Sequence, residues 1–502
     1  MIKIFLKSNI YSIVAILLYT LGVWYFFNFT IDDTYISMRY AENLSNGQGL
    51  VFNVGTPPLE AYSNFIFVLL ESLLFLLGFK TVVAVKIISY FFGVGTILLL
   101  VVIGKLILGD NAKKETGFVQ IFIASSSPFI IWTVGGLETV QFIFTVVASF
   151  TAYLYAEKSK SIKAKGKWYL LGDTLAFIVM LSRPEGILFT LGAIVYRLLN
   201  KAYLSSLYIS LLLIIYFVWK WSYFGELMPT PYYAKAHIID LYGGMNRAIE
   251  FLKINVNIIY LLIFPTIFMT ILANFKKLRY SIELFIILFM IIYLLYILSL
   301  GYQVSMDDAY RYYVPLIVMG GIVFLYFIKN TGYRVNNITI IIILITLVSF
   351  RINDLHTAWK KDINWNALSY HVSGEAIADG LASGHIKLGK WLNKNADSNA
   401  TIVVHDAGAI PYFSKLKTID VWSLCDKEML DLNILDKAVL TKKEKNIIKN
   451  KKLEYLLKQN PNYIIQDKGI ITKTSYIKNY HLLPEVYEYS PWYKLRIYEK
   501  NK

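Results

Sequence analysis

Twelve apolar runs, parted by short polar loops, leave this chain one environment in which to fold. The first, Ile10 to Phe29, holds twenty residues without a charge, long enough to cross a bilayer. The others lie at 65–79, 87–104, 118–134, 137–156, 168–182, 186–199, 203–224, 254–273, 281–300, 312–328 and 335–350. The 502 residues are 56% hydrophobic and 16% aromatic. This composition excludes a soluble globular protein and fits a polytopic α-helical membrane protein. The formal charge of +16 does not mark a nucleic-acid binder, because the lysines form no basic stripe and collect in loops between apolar runs. Cys425 is the only cysteine, so no internal disulfide or cysteine-based metal site is available. Lys3 and Lys7 precede the first run without a small-residue cleavage site, which reads as a retained signal anchor.

Lysine placement orients the spans. Lys3 and Lys7 put the N-terminus in the cytoplasm. The loop 157–167 carries Lys158, Lys160, Lys163, Lys165 and Lys167 and belongs on the same side. That parity holds only if one earlier run does not cross. The run 65–79 is short and contains Glu71, so it is the natural interfacial or re-entrant helix. With it removed, Lys105, Lys113, Lys114, Arg197, Lys201, Lys276, Lys277, Arg279, Lys329 and Arg334 also fall inside. The expectation is about eleven transmembrane helices plus one juxtamembrane helix over 1–350.

The same parity gathers the polar motifs outside the cytoplasm. Asp32-Asp33 closes the first span, where ionisable groups are costly. The pair either stops the helix or serves a function. The following stretch, Thr34 to Leu44, is polar and tyrosine-rich and, if helical, lies on the membrane surface; Gly47-Gln48-Gly49 ends it. Glu60 and Glu138 are outside; Glu138, at a helix start, suits either a cap or a contact to a sugar. Arg183-Pro184-Glu185-Gly186 joins two runs, with Arg183 either bridging to protein carboxylates or binding phosphate. Tyr232, Tyr233, Lys235 and His237 follow Pro229 and Pro231, either as an aromatic belt with an anchoring lysine or as stacking faces with donors. Arg311 either pairs with Asp307 or Asp308, one turn back, or meets a ligand.

Residues 355–502 contain no spanning run. Strand-like segments at 401–405, 416–421, 462–466 and 494–498, separated by helical patterns at 376–396 and 442–458, read as a C-terminal extracytoplasmic α/β domain. His405-Asp406 reads as a satisfied pair of domain residues rather than a metal site.

The stretch Asp32-Asp33-Thr34-Tyr35-Ile36-Ser37-Met38-Arg39-Tyr40-Ala41-Glu42-Asn43-Leu44, with Gly47 to Asn53, resembles the GT-C superfamily of integral-membrane glycosyltransferases. Its motifs look like those of polyprenyl-phosphate-dependent arabinofuranosyltransferases of the cell wall. Glu60 to Asn64, Gly136 to Thr139, Arg183 to Gly186, Pro229 to Lys235, Arg311 to Pro315, Asp406 to Tyr412 and Asp420 to Leu424 follow in the same order. The resemblance implies a GT-C-like membrane domain, a polyprenyl-phosphate sugar donor, a cell-envelope acceptor and catalytic carboxylates in the first outer loop. It places Asp32 and Asp33 in catalysis and calls for cations at the donor phosphate, for which Lys235, Arg311, Arg183 and Arg39 are the candidates. Glu60, Glu138, Glu185, Tyr232, Tyr233, His237 and Asp308 are candidates for sugar and acceptor. No cofactor is required by the motifs; the acidic pair admits a divalent metal. The location implied is the inner (cytoplasmic) membrane, in contact with its lipid. The alternatives are transfer of whole oligosaccharides, ligation, and transport of a lipid-linked glycan. A transporter calls for polar groups near the bilayer midplane; here they gather at one face, which favours an enzyme.

Overall fold

The computed structural model describes residues 2–109, 113–234, 240–254, 281–300, 308–332, 363–365, 370–372, 378–379, 381–438, 441–466, 479–490 and 493–501. The apolar runs 254–273 and 335–350 therefore lie outside the described residues, apart from Ile254 at the end of a helix.

Among the described residues, five helices are long and apolar enough to cross a membrane: Val82–Leu108, Thr139–Lys158, Tyr203–Phe224, Ile282–Leu300 and Tyr310–Thr331. The chain is an integral membrane protein. The run 118–134, read as one span, is two helices, Lys113–Ala124 and Ser127–Val134, bent by 55°. Pro128 in the first turn of the second helix explains the break, since proline cannot continue the ladder of the first. Helix Phe65–Leu76 is twelve residues long, too short to span. Gly186–Leu199 is also short, at fourteen residues. The first run is carried by helix Ile2–Tyr25.

The chain divides into two compact units: 1–28, 85–216 and 237–371 in one; 29–84, 217–236 and 372–502 in the other. In the first unit, Thr139–Lys158 is the most enclosed of the long helices, with 83% of its apolar window buried. It packs on Ile162–Ser182 through small and polar groups, as membrane helices do. Ser149 donates to the Gly172 carbonyl at 2.8 Å, and Tyr153 to Asp173 at 2.9 Å.

The second unit contains a five-stranded mixed sheet. Its strands are β1 (Thr401–Val404), β2 (Lys417–Asp420), β3 (Tyr463–Gln466), β4 (Tyr480–Ser490) and β5 (Tyr493–Lys500), in the order β2-β1-β3-β5-β4. β1 is parallel to both neighbours, while β5 is antiparallel to β3 and β4. Both faces of β1 are covered. Ile402 and Val404 join Leu388, Leu392, Ile465 and Ile497 on one side, and Val403 joins Ile419, Met429 and Ile464 on the other. Burial on both faces is why this strand reads as an unbroken apolar run. Helix Lys442–Lys458 opens with a capping box between Thr441 and Glu444.

The stretch after Asp32-Asp33 forms the helix Thr34–Ser45. Nine of its twelve residues are buried. Its tyrosines and Arg39 pack within the second unit rather than forming an open polar face, because loop 50–64 and the region of β2 cover them.

Candidate functional site

Two clusters of charged side chains are built, one in each compact unit.

In the second unit, Asp32 is held by two backbone hydrogen bonds and one ion-pair contact. Its Oδ2 accepts from the Gly408 N–H at 3.0 Å and its Oδ1 from the Ala409 N–H at 2.9 Å. His385 Nδ1 lies 3.4 Å from Oδ1. The other ring nitrogen, Nε2, lies 3.2 Å from Oδ2 of Asp406. Two carboxylates therefore flank one buried imidazole, and they push its pKa up to about 10 against the cost of burial. Any side chain at position 408 would collide with the Asp32 backbone and carboxylate, so glycine permits the approach. Asp33, half-buried, occupies the N-cap position of Thr34–Ser45 but makes no side-chain cap bond.

Arg39 spends its donors on neutral oxygens. It donates to Phe52 O at 2.7 Å, Pro411 O at 2.6 Å, Leu416 O at 2.8 Å and Asn53 Oδ1 at 3.1 Å. Asn53 in turn accepts from Thr418 N–H at 3.0 Å and donates to Thr418 O at 2.8 Å. Its amide thus pairs with edge strand β2 as a neighbouring strand would.

Glu60 is buried and paired with Lys220 at 2.7 Å. Burial pushes its carboxyl up to about 7, opposed by the lysine. The Glu60 carbonyl accepts from Thr230 N–H at 2.9 Å, and Thr230 Oγ1 donates to Leu424 O at 2.5 Å. The loop bearing Leu424 is shaped by Asp420, whose carboxylate accepts from the N–H groups of Trp422, Leu424 and Cys425. Tyr232, 56% exposed, and half-buried Tyr233 form an edge-to-face pair on the short helix Thr230–Ala234. Lys235 and His237 lie outside the described residues.

In the first unit, Glu138 sits at the N-cap position of Thr139–Lys158 but makes no side-chain cap bond. Its carboxylate instead accepts from Arg311, whose Nε donates to Thr139 Oγ1 at 2.9 Å. Arg183 Nε lies 2.6 Å from Glu185 and 3.6 Å from Glu138. The Arg183 guanidinium lies over the Tyr312 ring and that of Arg311 over Trp132. All four charged side chains are buried, and their charges balance. Arg183 Nη1 is buried without a hydrogen-bond partner among the described residues. Asp307 and the Asp308 side chain lie outside the described residues; the acid seen on Arg311 is Glu138, 173 residues away.

Sequence reasoning missed His385 and Lys220. Nothing around Ser383-Gly384-His385 marks a site. Lys220 did carry a signal, a lone charge inside an apolar run.

The fold has counterparts among solved structures. ArnT from Cupriavidus metallidurans, bound to undecaprenyl phosphate, matches with a TM-score of 0.61 at 10% identity, covering 97% of each chain. The chain has an ArnT-like fold. The Archaeoglobus fulgidus oligosaccharyltransferase in complex with zinc and sulfate matches with a TM-score of 0.56 at 10% identity, over 92% of this chain and 67% of that one. The same archaeal enzyme, AglB, in complex with an inhibitory peptide and a dolichol-phosphate, matches at 0.53 and 10% identity, over 92% and 69%. At 10% identity these likenesses show the fold, over 92–97% of this chain. A family model described as a domain of unknown function, DUF8728, matches residues 373–498. No curated protein matches the sequence.

A divalent metal beside Asp32 does not fit the groups present. Two amide N–H groups and a cationic imidazole already face that carboxylate, and each repels a cation.

Proposed function

We propose that this protein is a glycosyltransferase that moves a sugar from a polyprenyl-phosphate donor to a cell-envelope glycan, lipid or protein. The observation that carries the reading is the ArnT-like fold over 97% of both chains, with Asp32-Asp33 directly after the first helix. Undecaprenyl phosphate is what ArnT holds; the same class of lipid is proposed here for the donor. The sequence leaves the sugar open, so polyprenyl-phosphate arabinofuranose, suggested by the family resemblance, is one donor to test among several. The reading keeps 1–350 as the membrane domain and 355–502 as the extracytoplasmic domain, in the inner membrane with the active site outside.

Asp33 is the proposed general base. Both oxygens of Asp32 accept from the Gly408 and Ala409 N–H groups, and the reading gives the two carboxylates different roles. Asp33 takes the proton of the acceptor hydroxyl. The freed oxygen attacks the anomeric carbon, and the bond from that carbon to the phosphate oxygen breaks. The electron pair leaves with the phosphate, where cations stabilise it. Arg183, whose Nη1 has no hydrogen-bond partner among the described residues, and Lys235 are the candidate cations. Arg311, committed to Glu138 and Thr139, holds that carboxylate in place. Arg39 holds the loop rather than the donor. Glu60, Glu138, Glu185, Tyr232, Tyr233, His237 and Asp308 remain the proposed groups toward sugar and acceptor.

The test is release of free polyprenyl phosphate from labelled polyprenyl-phosphate arabinofuranose, and from the corresponding pentose and hexose lipids, by protein in nanodiscs. Asp33→Asn should lower turnover by about 100-fold or more with the fold intact. No release from any donor, or full turnover in the variant, refutes the assignment. Transfer of whole oligosaccharides is the second reading. It draws on the likeness to AglB, which covers 92% of this chain, and is tested by offering a dolichol-phosphate oligosaccharide in the same assay.

A further inference from the structure

We propose that His385 is a positioning residue for the transfer reaction, clamping Asp32 so that the adjoining Asp33 is presented in one orientation. The inference rests on the reading of Asp33 as the base. It also gives a role to the region matched by the domain of unknown function, since residues 373–498 supply the clamp.

The geometry has three independent parts. His385 is 3% exposed and reaches Asp32 with one ring nitrogen and Asp406 with the other. A neutral imidazole has one N–H and can donate to only one of two carboxylates. A protonated ring donates to both, and the two acids favour that form. Second, the residue lies on a π-helical turn, Leu381–Ile386, just before helix Lys387–Asn395. Such turns carry an extra residue and occur frequently at functional sites. Third, the Asp32 carboxylate is already fixed by the Gly408 and Ala409 N–H groups. His385 adds an ion-pair contact at 3.4 Å to the same carboxylate. Asp406, in the same segment as Gly408, orients the imidazole from its far side. The order Asp406, His385, Asp32 therefore ties residues far apart in sequence to the residue before Asp33.

The clamp has no hydrolytic or transfer role of its own. Both oxygens of the Asp32 carboxylate already accept from the Gly408 and Ala409 N–H groups. What it controls is direction. Asp32 and Asp33 share a peptide bond at the head of Thr34–Ser45, so releasing Asp32 frees the backbone that aims Asp33.

The experiment uses the full chain in nanodiscs and compares wild type with His385→Ala and His385→Gln. Amide hydrogen exchange at Gly408 and Ala409 should quicken by about tenfold or more in the alanine variant, a change equivalent to about 1.4 kcal/mol. The glutamine variant, which keeps one donor, should fall between. In the transfer assay, His385→Ala should lower kcat by about tenfold while KM for the lipid donor stays unchanged. Loss of the imidazole proton should give the wild-type kcat profile an alkaline limb that is missing in His385→Gln, which cannot titrate. Unchanged exchange at 408–409, or unchanged kcat in the alanine variant, overturns the clamp. So does exchange that quickens evenly throughout 381–438, since that marks a general packing role. If wild type itself transfers nothing from polyprenyl-phosphate arabinofuranose or the other donor lipids, the functional reading has failed. The exchange result at 408–409 then still decides whether His385 holds Asp32.

Discussion

Arg39 donates from Nη1 to the carbonyl oxygen of Pro411 at 2.6 Å, across 372 residues of chain. Its other bonds reach Phe52, Asn53 and Leu416. No aliphatic amine can copy this fork, because lysine offers one nitrogen where arginine offers three. Arg39→Lys and Arg39→Ala should both destabilise the second unit, the alanine variant by about 3 kcal/mol or more, since buried carbonyls are left unpaired. Thermal unfolding followed by near-ultraviolet circular dichroism measures this. A donor affinity that collapses while stability holds would instead return Arg39 to the phosphate.

Lys220 and Glu60 form a buried pair whose loss on one side is costly. Lys220→Met should destabilise by about 3–5 kcal/mol at neutral pH, because Glu60 is left charged or forced to take a proton. Lys220→Met with Glu60→Gln should recover most of that loss. If the double variant is as unstable as the single one, the lysine acts through packing and not through charge.

The Glu60 carboxyl also sets a pH window. Its folded pKa, about 7, lies above the ordinary 4.5. The folded state therefore holds the proton more tightly than the unfolded chain. The stabilisation this gives is complete below 4.5 and is lost as pH rises through 7. Glu60→Gln should flatten the stability profile between those values. Denaturant titrations at about pH 4.5, 6 and 8 would read it; a slope unchanged in the variant would assign the dependence to another group.

Arg311 and Glu138 should couple. Single substitutions Arg311→Gln and Glu138→Gln, with their double variant, should give an interaction term on the order of 1–3 kcal/mol. Arg183→Gln should weaken binding of the polyprenyl-phosphate donor more than Arg311→Gln does. Equal loss in both variants would mean that both guanidinium groups contact phosphate.

The membrane side of the loop at 157–167 is a prediction from charge. In a Cys425→Ser background, Lys163→Cys should resist an impermeant thiol reagent in intact cells and react once the membrane is opened. Labelling of intact cells would invert the derived topology and move the outer motifs inside.

Local physics makes part of this protein readable from sequence alone. Bilayer thickness converts a long uncharged apolar run into a span, so Thr139–Lys158, Tyr203–Phe224, Ile282–Leu300 and Tyr310–Thr331 are visible as runs. The shortness of Phe65–Leu76 is equally visible. β1 follows from its unbroken apolar run, and the start of helix Lys442–Lys458 from its capping box. Strand β4 does not, because Pro484 interrupts its pattern; an edge strand with an irregular register tolerates it. Helix Lys427–Ala438 has no clean apolar stripe and leaves no comparable signal. The acidic pair stands out in the sequence, yet nothing there separates Asp32 from Asp33. Tertiary structure makes that distinction by bringing Gly408, Ala409 and His385 to one carboxylate. It also gives Arg311 to Glu138 and Arg39 to the loops around Asn53 and Pro411. Hydrophobic burial leaves a period in the sequence, because each element must turn one face or its whole length away from water. A hydrogen bond or ion pair between distant residues leaves no period, and its partner is decided only when the chain has packed.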